Sequence, residues 1–532
     1  MATFLASLLY GDHGVFVLVI GFFAVALLCW RLWNFTIVPF LHPARPLELP
    51  YWIPYFGHVR AFFVDYNQAI ESARKHFKNN TEPYSVWLFG ARVYILTDPN
   101  DVANMYKNTA TISYHSMIEQ MHYMIECSQD GIDKLFAHDP SAKHNIGKGT
   151  VMVAALRTND FHRDQLYPGP HLDDLYDGKI VPYIWNTIKR RPNAIENPTR
   201  IDMRDGAPVS LMALMVDVFD GGITSAFFGA GIWKVNPALL RDFMTWEVTN
   251  WKWTFQLPKF MSGDMIKSKD AIIDTFVKWL QLPVEERQDR AYFPKAMEEM
   301  MRDIGVSEED MAKTIMLHFW AVLGNTYKVA FWVFAYIIYD PSLLAAIREE
   351  SAGAFKNGSY DEEYIFKNCD HLTSLVNETL RLAVASPLVR DVVKPTPVGN
   401  KVLEPGAKVM VPFHQLHRNE SVWGSKPLEV EGDRFLTNPK LLNSKSYRPF
   451  GGGSTLCPGR HMARRAIAFA VAAMLNTYDI SIDAERTNKA MGIKGNRKDA
   501  VFPRINHSKP SPGASLPFRE DDVFVILHER KG

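Results

Sequence analysis

Near its C-terminal end the chain reads Phe450-Gly451-Gly452-Gly453-Ser454-Thr455-Leu456-Cys457-Pro458-Gly459-Arg460, a glycine-rich turn that delivers one cysteine to the mouth of a helix expected to begin near Arg460. That is the arrangement a thiolate ligand for haem iron requires. Gly451, Gly453 and Gly459 let the backbone take positive φ angles and lie flat against a large planar ring, which a Cβ would obstruct. Backbone amides beyond Cys457, and the helix start, favour the ionised sulfur, as the iron itself would. Such a thiolate pushes electron density onto the metal and favours O–O cleavage. The alternative is a buried structural cysteine, the ordinary fate of a free thiol. Against it, Phe450, Gly453, Cys457 and Gly459 would coincide by chance in roughly one chain in a thousand of this length.

This stretch resembles the cysteine-ligand loop of the cytochrome P450 family, and the resemblance implies further positions. Asn325 and Thr326 stand where that family places an acid–threonine pair on a long central helix above the iron, a pair that helps protons reach bound dioxygen. A threonine hydroxyl suits a relay because it both donates and accepts. Asn325 cannot ionise, and in this it is similar to the branch containing the sterol 7-hydroxylases and prostacyclin synthase, which holds both oxygen-inserting enzymes and an isomerase. The plainer reading is a threonine bonded back to its own helix and an asparagine meeting a neighbour.

Glu378-Thr379-Leu380-Arg381 resembles the family's Glu-x-x-Arg pair, whose spacing puts both side chains on one helical face. Glu71/Arg74, Glu299/Arg302 and Glu431/Arg434 share the spacing, but only Glu378/Arg381 is followed by a strand region, Arg434-Phe435 and the cysteine loop in that order. In the family a second arginine joins the pair, here Arg434, with Gly432 where proline is usual. Two guanidiniums around one carboxylate form a structural, charge-assisted network. Arg390 matches a strand arginine that meets a haem propionate in the family, with solvent exposure as the alternative. Thr455 replaces the arginine usual two residues before the ligand, and no Trp-x-x-x-Arg occurs between residues 110 and 170, so a second propionate contact is unassigned. Lys445, Arg448, Arg460, His461, Arg464 and Arg465 surround the loop, either as a solvated face or as a docking patch for an acidic flavoprotein.

These residues need scaffolding. Ser307 with Glu308, Glu309 and Asp310 predicts the start of a helix running to about Tyr339, roughly 50 Å long and apolar nearly all round. The Glu378 helix is expected from Asp370 to Ala383. Residues 86–96 read as two short strands around a glycine turn. Residues 135–177 are polar and irregular and read as a long loop, helical patterns dominate up to about residue 300, and no internal repeat is visible.

At 532 residues and a net charge of +1, nothing argues for a nucleic-acid partner. Cys29, Cys127, Cys369 and Cys457 show neither zinc nor disulfide spacing, which suits a reducing compartment. Gly14 to Trp30 is an uninterrupted apolar run of about seventeen residues, short for a membrane span but without the flanks of a cleaved leader. Arg31 and Arg45 follow it and Asp12 precedes it, so the bulk of the chain should face the cytosol. Pro39, Pro43, Pro46, Pro50 and Pro54 then hold an extended arm. The sequons at Asn79 and Asn377 would then go unused.

The expected organisation is an anchor over residues 1–33, a proline-rich arm over 34–58 and a haem-thiolate domain over 59–532. The expected fold is mainly α, a P450-like helical domain with small β-sheets behind one N-terminal transmembrane helix. The resemblance implies haem b ligated by Cys457, an NADPH–cytochrome P450 reductase as partner, residence in the endoplasmic reticulum membrane, and oxidation of a small lipophilic substrate. A haem-thiolate isomerase or dehydratase acting on a peroxide, a haem-binding sensor and a non-catalytic anchored protein are the alternatives.

Overall fold

The apolar run becomes helix α1, Gly14–Leu32, and continues through a wide π turn at Trp33–Ile37 and a last turn at Val38–Leu41. Pro39 lies just after the wide turn, the kind of local widening by which a continuous helix accommodates a residue without an N–H. The helix therefore outruns the expected anchor and takes in the first residues of the expected arm. Phe16–Leu41 spans 26 residues at a mean hydropathy of 2.2 with none of it buried, the signature of a candidate membrane anchor. Leu211–Phe228 and Glu308–Tyr339 are also long and apolar enough, but they are 89% and 72% buried and form core. Arg31 fastens α1 to the arm: it donates to the Tyr51 carbonyl and lies 3.8 Å from the centroid of the Trp52 ring.

The computed structural model describes residues 14–137, 153–494, 497–510, 513–518 and 521–530. The chain divides into two units, Met1–Ser113 with Val389–Pro412, and Tyr114–Leu388 with Phe413–Gly532. The smaller unit carries a six-stranded mixed sheet built from β1 (Leu47–Glu48), β2 (Tyr84–Leu88), β3 (Ala91–Ile95), β4 (Ile112–Ser113), β5 (Pro387–Val392) and β6 (Lys408–Pro412), in the order β1-β2-β3-β6-β5-β4. The hairpin read from the sequence is β2–β3. Its two turn residues, Phe89 and Gly90, sit at φ 48° and 79°, the left-handed pair that matches strand twist.

The larger unit is helical. Among its elements are α2 (Ala154–Leu166), α3 (Leu239–Thr254), α4 (Gly263–Gln281), α5 (Tyr292–Asp303), α6 (Glu308–Leu323), α7 (Thr326–Tyr339), α8 (Asp370–Ala383) and α9 (Arg460–Thr477). A small antiparallel sheet places Phe524–Glu529 between Tyr478–Ile482 and Pro208–Ser210. Ser307 caps α6 as its sequence predicts, accepting from Asp310 N at 3.1 Å.

Two expectations change. Helix α2 lies inside the stretch read as irregular, although residues 138–152 of that stretch fall outside the described residues. Its sequence is too polar to show an apolar stripe, and packing supplies what periodicity lacks: α2 lies against α5, with the His162 ring stacked 3.8 Å from Phe293. The long central helix is two helices. Gly324 and Asn325 break it, Asn325 leaving the helical region at φ −136°, and Thr326 begins α7. Helix α7 is buried nearly all round and packs on α8 and α9, each large apolar side chain contributing about 1.5–3 kcal/mol.

Candidate functional site

The cysteine loop is a folded-back turn. Cys457 N donates to Phe450 O at 3.0 Å and Gly451 N to Arg448 O at 3.1 Å. Gly451 and Gly453 take φ 75° and 61°, the left-handed conformation expected of them. Gly459 departs from expectation: it sits at φ −76° as the N-cap of α9, and a Cβ there would lie 3.9 Å from the Cys457 sulfur, an ordinary contact. What Gly459 supplies is its N–H, which together with that of Arg460 is directed at the sulfur.

Burial pushes the Cys457 thiol upward, while the Gly459 amide, the Arg460 charge and the Arg460 amide pull it down. Without a further positive charge the neutral thiol is favoured, and a metal cation is the group that reverses this balance. A sulfur with two amide donors, in a loop with glycine at 451, 452 and 453, fits a haem iron. Cys127 and Cys369 share no such surroundings: burial pushes each up to about 12.

Helix α8 brings Glu378 and Arg381 together, both fully buried. Arg381 grips the carboxylate with Nε at 2.8 Å and Nη2 at 2.7 Å, and its Nη1 donates to His417 O and Pro427 O at 2.7 and 2.6 Å. Arg434 Nε lies 3.1 Å from both oxygens of the same carboxylate, and its Nη1 donates to Trp423 O at 2.9 Å. The carbonyl of Gly432, which stands for the family's proline, accepts from Ser374 Oγ at 2.6 Å, a bond a proline carbonyl could equally accept. His417 carries the network into the loop. Burial lowers its pKa to about 3, so the ring is neutral; Nδ1 donates to Val384 O at 3.2 Å and Nε2 accepts from Arg448 N at 3.0 Å, two residues before Phe450. His417 was not legible in the sequence, because its role depends on a fold-back between segments thirty residues apart.

The Asn325 amide oxygen accepts from Ala514 N at 2.9 Å, and a Cβ at Gly513 would collide with it. Asparagine thus ties the helix break to the loop after residue 512. Thr326 is nearly buried, and its hydroxyl has no hydrogen-bond partner among the described residues. Arg390 is buried on β5 rather than exposed, donating through Nη1 to Val389 O at 2.8 Å. It belongs to the smaller unit, whereas the other predicted site residues lie in the larger one.

Much of the basic cluster is internally engaged. Arg465 pairs with Glu362 at 3.1 Å and Asp177 at 3.2 Å, Arg464 covers the Phe450 ring, and Arg460 Nη1 donates to Cys457 O. Lys445 and His461 are exposed. One arginine missed in the sequence, Arg163 of α2, donates to Ser454 O in the ligand loop at 2.8 Å. No Trp-x-x-x-Arg spacing marks it.

Comparison with known proteins gives the same family. The family model for Cytochrome P450 matches residues 208–499, more than half of the chain. A cytochrome P450 monooxygenase of Penicillium oxalicum is 26% identical over 83% of this chain and 88% of its own length. One from Humicola fuscoatra is 23% identical over 82% of each. The human 24-hydroxycholesterol 7-alpha-hydroxylase is 24% identical over 48% of this chain and 56% of its own.

Proposed function

The chain belongs to the cytochrome P450 family, whose members bind haem through a cysteine thiolate and incorporate oxygen from O2, and from that premise we propose a membrane-anchored monooxygenase with Cys457 as the axial ligand. Its substrate is a small lipophilic compound, a sterol, terpenoid, fatty acid or polyketide, and its electrons come from NADPH through a reductase in the same membrane. The observation that carries the reading is the Cys457 sulfur beneath two backbone amides in a Cβ-poor turn.

When bound, haem supplies the activation of dioxygen. The protein's part is to hold and protonate. Glu378, Arg381 and Arg434, through His417, fix the loop so that the sulfur keeps one position. Thr326, at the first position of α7, offers a hydroxyl not committed to any described partner, suited to pass a proton and receive another. Asn325 acts on the break and not as the acid, since its oxygen is engaged by Ala514. The exposed apolar helix Phe16–Leu41 supports a lipid anchor and a cytosolic catalytic domain at the endoplasmic reticulum.

The test is spectroscopic. Reduced, carbon monoxide-treated protein is expected to show the red-shifted Soret band of a sulfur-bound haem, and Cys457→His to lose it while retaining haem. Co-expression with a reductase and candidate lipophilic compounds, read by mass spectrometry, then identifies the product. The neutral Asn325 favours one second reading, a peroxide isomerase, and product formed without NADPH would select it.

A further inference from the structure

Glu247 on α3 is a fully buried carboxylate that touches both halves of the broken central helix. Its Oε1 accepts from the Trp320 indole of α6 at 2.6 Å. Its Oε2 accepts from the Tyr327 hydroxyl of α7 at 3.3 Å and pairs with the Lys328 ammonium, also of α7. Gly324 lies between the two halves, and a Cβ there would stand 2.8 Å from Trp320 O and 3.5 Å from Glu247 Oε1. A larger residue at 324 would press on the Trp320 carbonyl, one turn back in α6, while meeting the carboxylate only at ordinary contact distance. A lysine inside an otherwise apolar helix needs such a partner, because burying an unpaired ammonium is prohibitive.

A second acid stands beside this pair. Asp220, in the wide turn Val216–Gly221 that packs on α3 and α7, is completely buried, and among the described residues neither of its oxygens has a hydrogen-bond partner. The titratable groups facing it are Glu247 from α3 and Tyr327 and Lys328 from α7. Burial pushes its carboxyl well above the usual range, Glu247 adds to this and Lys328 partly offsets it, so it is held as the neutral acid. An unpartnered buried carboxyl in a native core calls for an explanation.

We propose that Glu247 is a positioning residue for Thr326: it clamps the two half-helices at the angle that presents the Thr326 hydroxyl, and Lys328 has two seats, Glu247 when the clamp is closed and Asp220 when it is released. Release needs no outside reactant. The ammonium leaves Glu247, the Asp220 proton passes to Glu247, and the Lys328–Asp220 ion pair replaces the Lys328–Glu247 pair. Because Glu247 rides on α3, a displacement of α3 is transmitted to the break that carries Thr326. The consequence for turnover rests on the monooxygenase reading; the two seats of Lys328 do not.

Infrared spectroscopy of the full-length holoprotein reads the seats directly. The carbonyl stretch of a protonated carboxylic acid, assigned by its loss in Asp220→Asn, is expected in the wild type and in Lys328→Met. In Glu247→Gln it is expected to vanish, because the freed ammonium ionises Asp220. Persistence of the band in Glu247→Gln would overturn the two-seat arrangement. With a reductase supplied, Glu247→Gln is expected to raise the hydrogen peroxide released per product formed by about tenfold or more, haem content and substrate affinity being unchanged. An unaltered ratio removes the positioning role. Should Glu247→Gln fail to fold, Glu247→Asp keeps a charge for Lys328 but shortens the reach to Trp320, and is expected to leak peroxide with the band retained; absence of that leak counts equally against the clamp. Absence of a thiolate Soret band with the infrared pattern intact would overturn the proposed function and leave the two seats standing.

Discussion

Glu378 and Glu247 are both completely buried, and each accepts hydrogen bonds from cationic and neutral donors, yet their surroundings differ in one respect. Around Glu378 the charges close on themselves: two guanidiniums enclose the carboxylate, Arg381 Nη1 reaches the carbonyls of His417 and Pro427, Arg434 Nη1 reaches that of Trp423, and Arg434 Nη2 lies 2.9 Å from Glu431. Around Glu247 a single ammonium pairs with the carboxylate, and the neighbouring Asp220 has no hydrogen-bond partner for either oxygen among the described residues. A network in which every acid has a cation has one stable arrangement and suits a loop that must hold a ligand still. One with fewer cations than acids has two arrangements close in energy, which suits a helix break that must respond.

The comparison breaks most visibly at Arg381. Arg381→Ala leaves the buried Glu378 with one of its two guanidiniums and the His417 and Pro427 carbonyls without their donor, and is expected to cost about 3–5 kcal/mol, with haem incorporation lost, as measured by haem per polypeptide and thermal unfolding. A holoprotein with full haem content would show that the closed network does not hold the loop. Lys328→Met is expected to cost less, about 1–3 kcal/mol, because Trp320 and Tyr327 still donate to Glu247, and to leave haem content normal.

Acid separates the two regions by sign. The folded-state pKa of His417 lies near 3, against about 6.5 when unfolded, so its contribution is complete above pH 6.5 and is lost as pH falls toward 3. Stability should decline by about 1.4 kcal/mol per pH unit from this residue alone, and His417→Gln, which can bridge the same two backbone groups, should flatten that part of the melting-temperature profile. Asp220 runs the other way, since the folded protein keeps a proton that the unfolded chain releases above its ordinary value, so stability from this group falls as pH rises. The smallest effect is therefore expected from Asp220→Asn, which mimics the neutral acid: a melting temperature at neutral pH no lower than that of the wild type, where Glu378→Gln lowers it.

The closed network was legible because local order encodes it. Glu378 and Arg381 are three residues apart on one helix, Arg434 follows at a family-like distance, and Cys457 sits in a turn whose glycines announce themselves. The open cluster was not. Lys328 carries no spacing signal of its own, Glu247 is eighty-one positions earlier, and Asp220 lies in a turn whose acid is indistinguishable in sequence from an exposed one. Helix α2 was missed for a related reason: its stripe is too polar to read until α5 is packed against it. Gly459 shows the converse, a glycine expected for its freedom and used for its amide.

By itself the sequence determined whatever depends on neighbours along the chain: the anchor's apolar run, the Ser307 cap, the hairpin at Phe89-Gly90, the turn that presents Cys457 and the pairing of Glu378 with Arg381. Only the tertiary structure decided where the central helix breaks, that Asn325 serves the Ala514 loop, that Arg465 belongs to Glu362 and Asp177, and that Lys328 meets Glu247. Backbone propensity and i,i+3 spacing act over a few residues and leave a mark in the text. Burial and charge pairing between distant segments leave none until the chain has closed on itself.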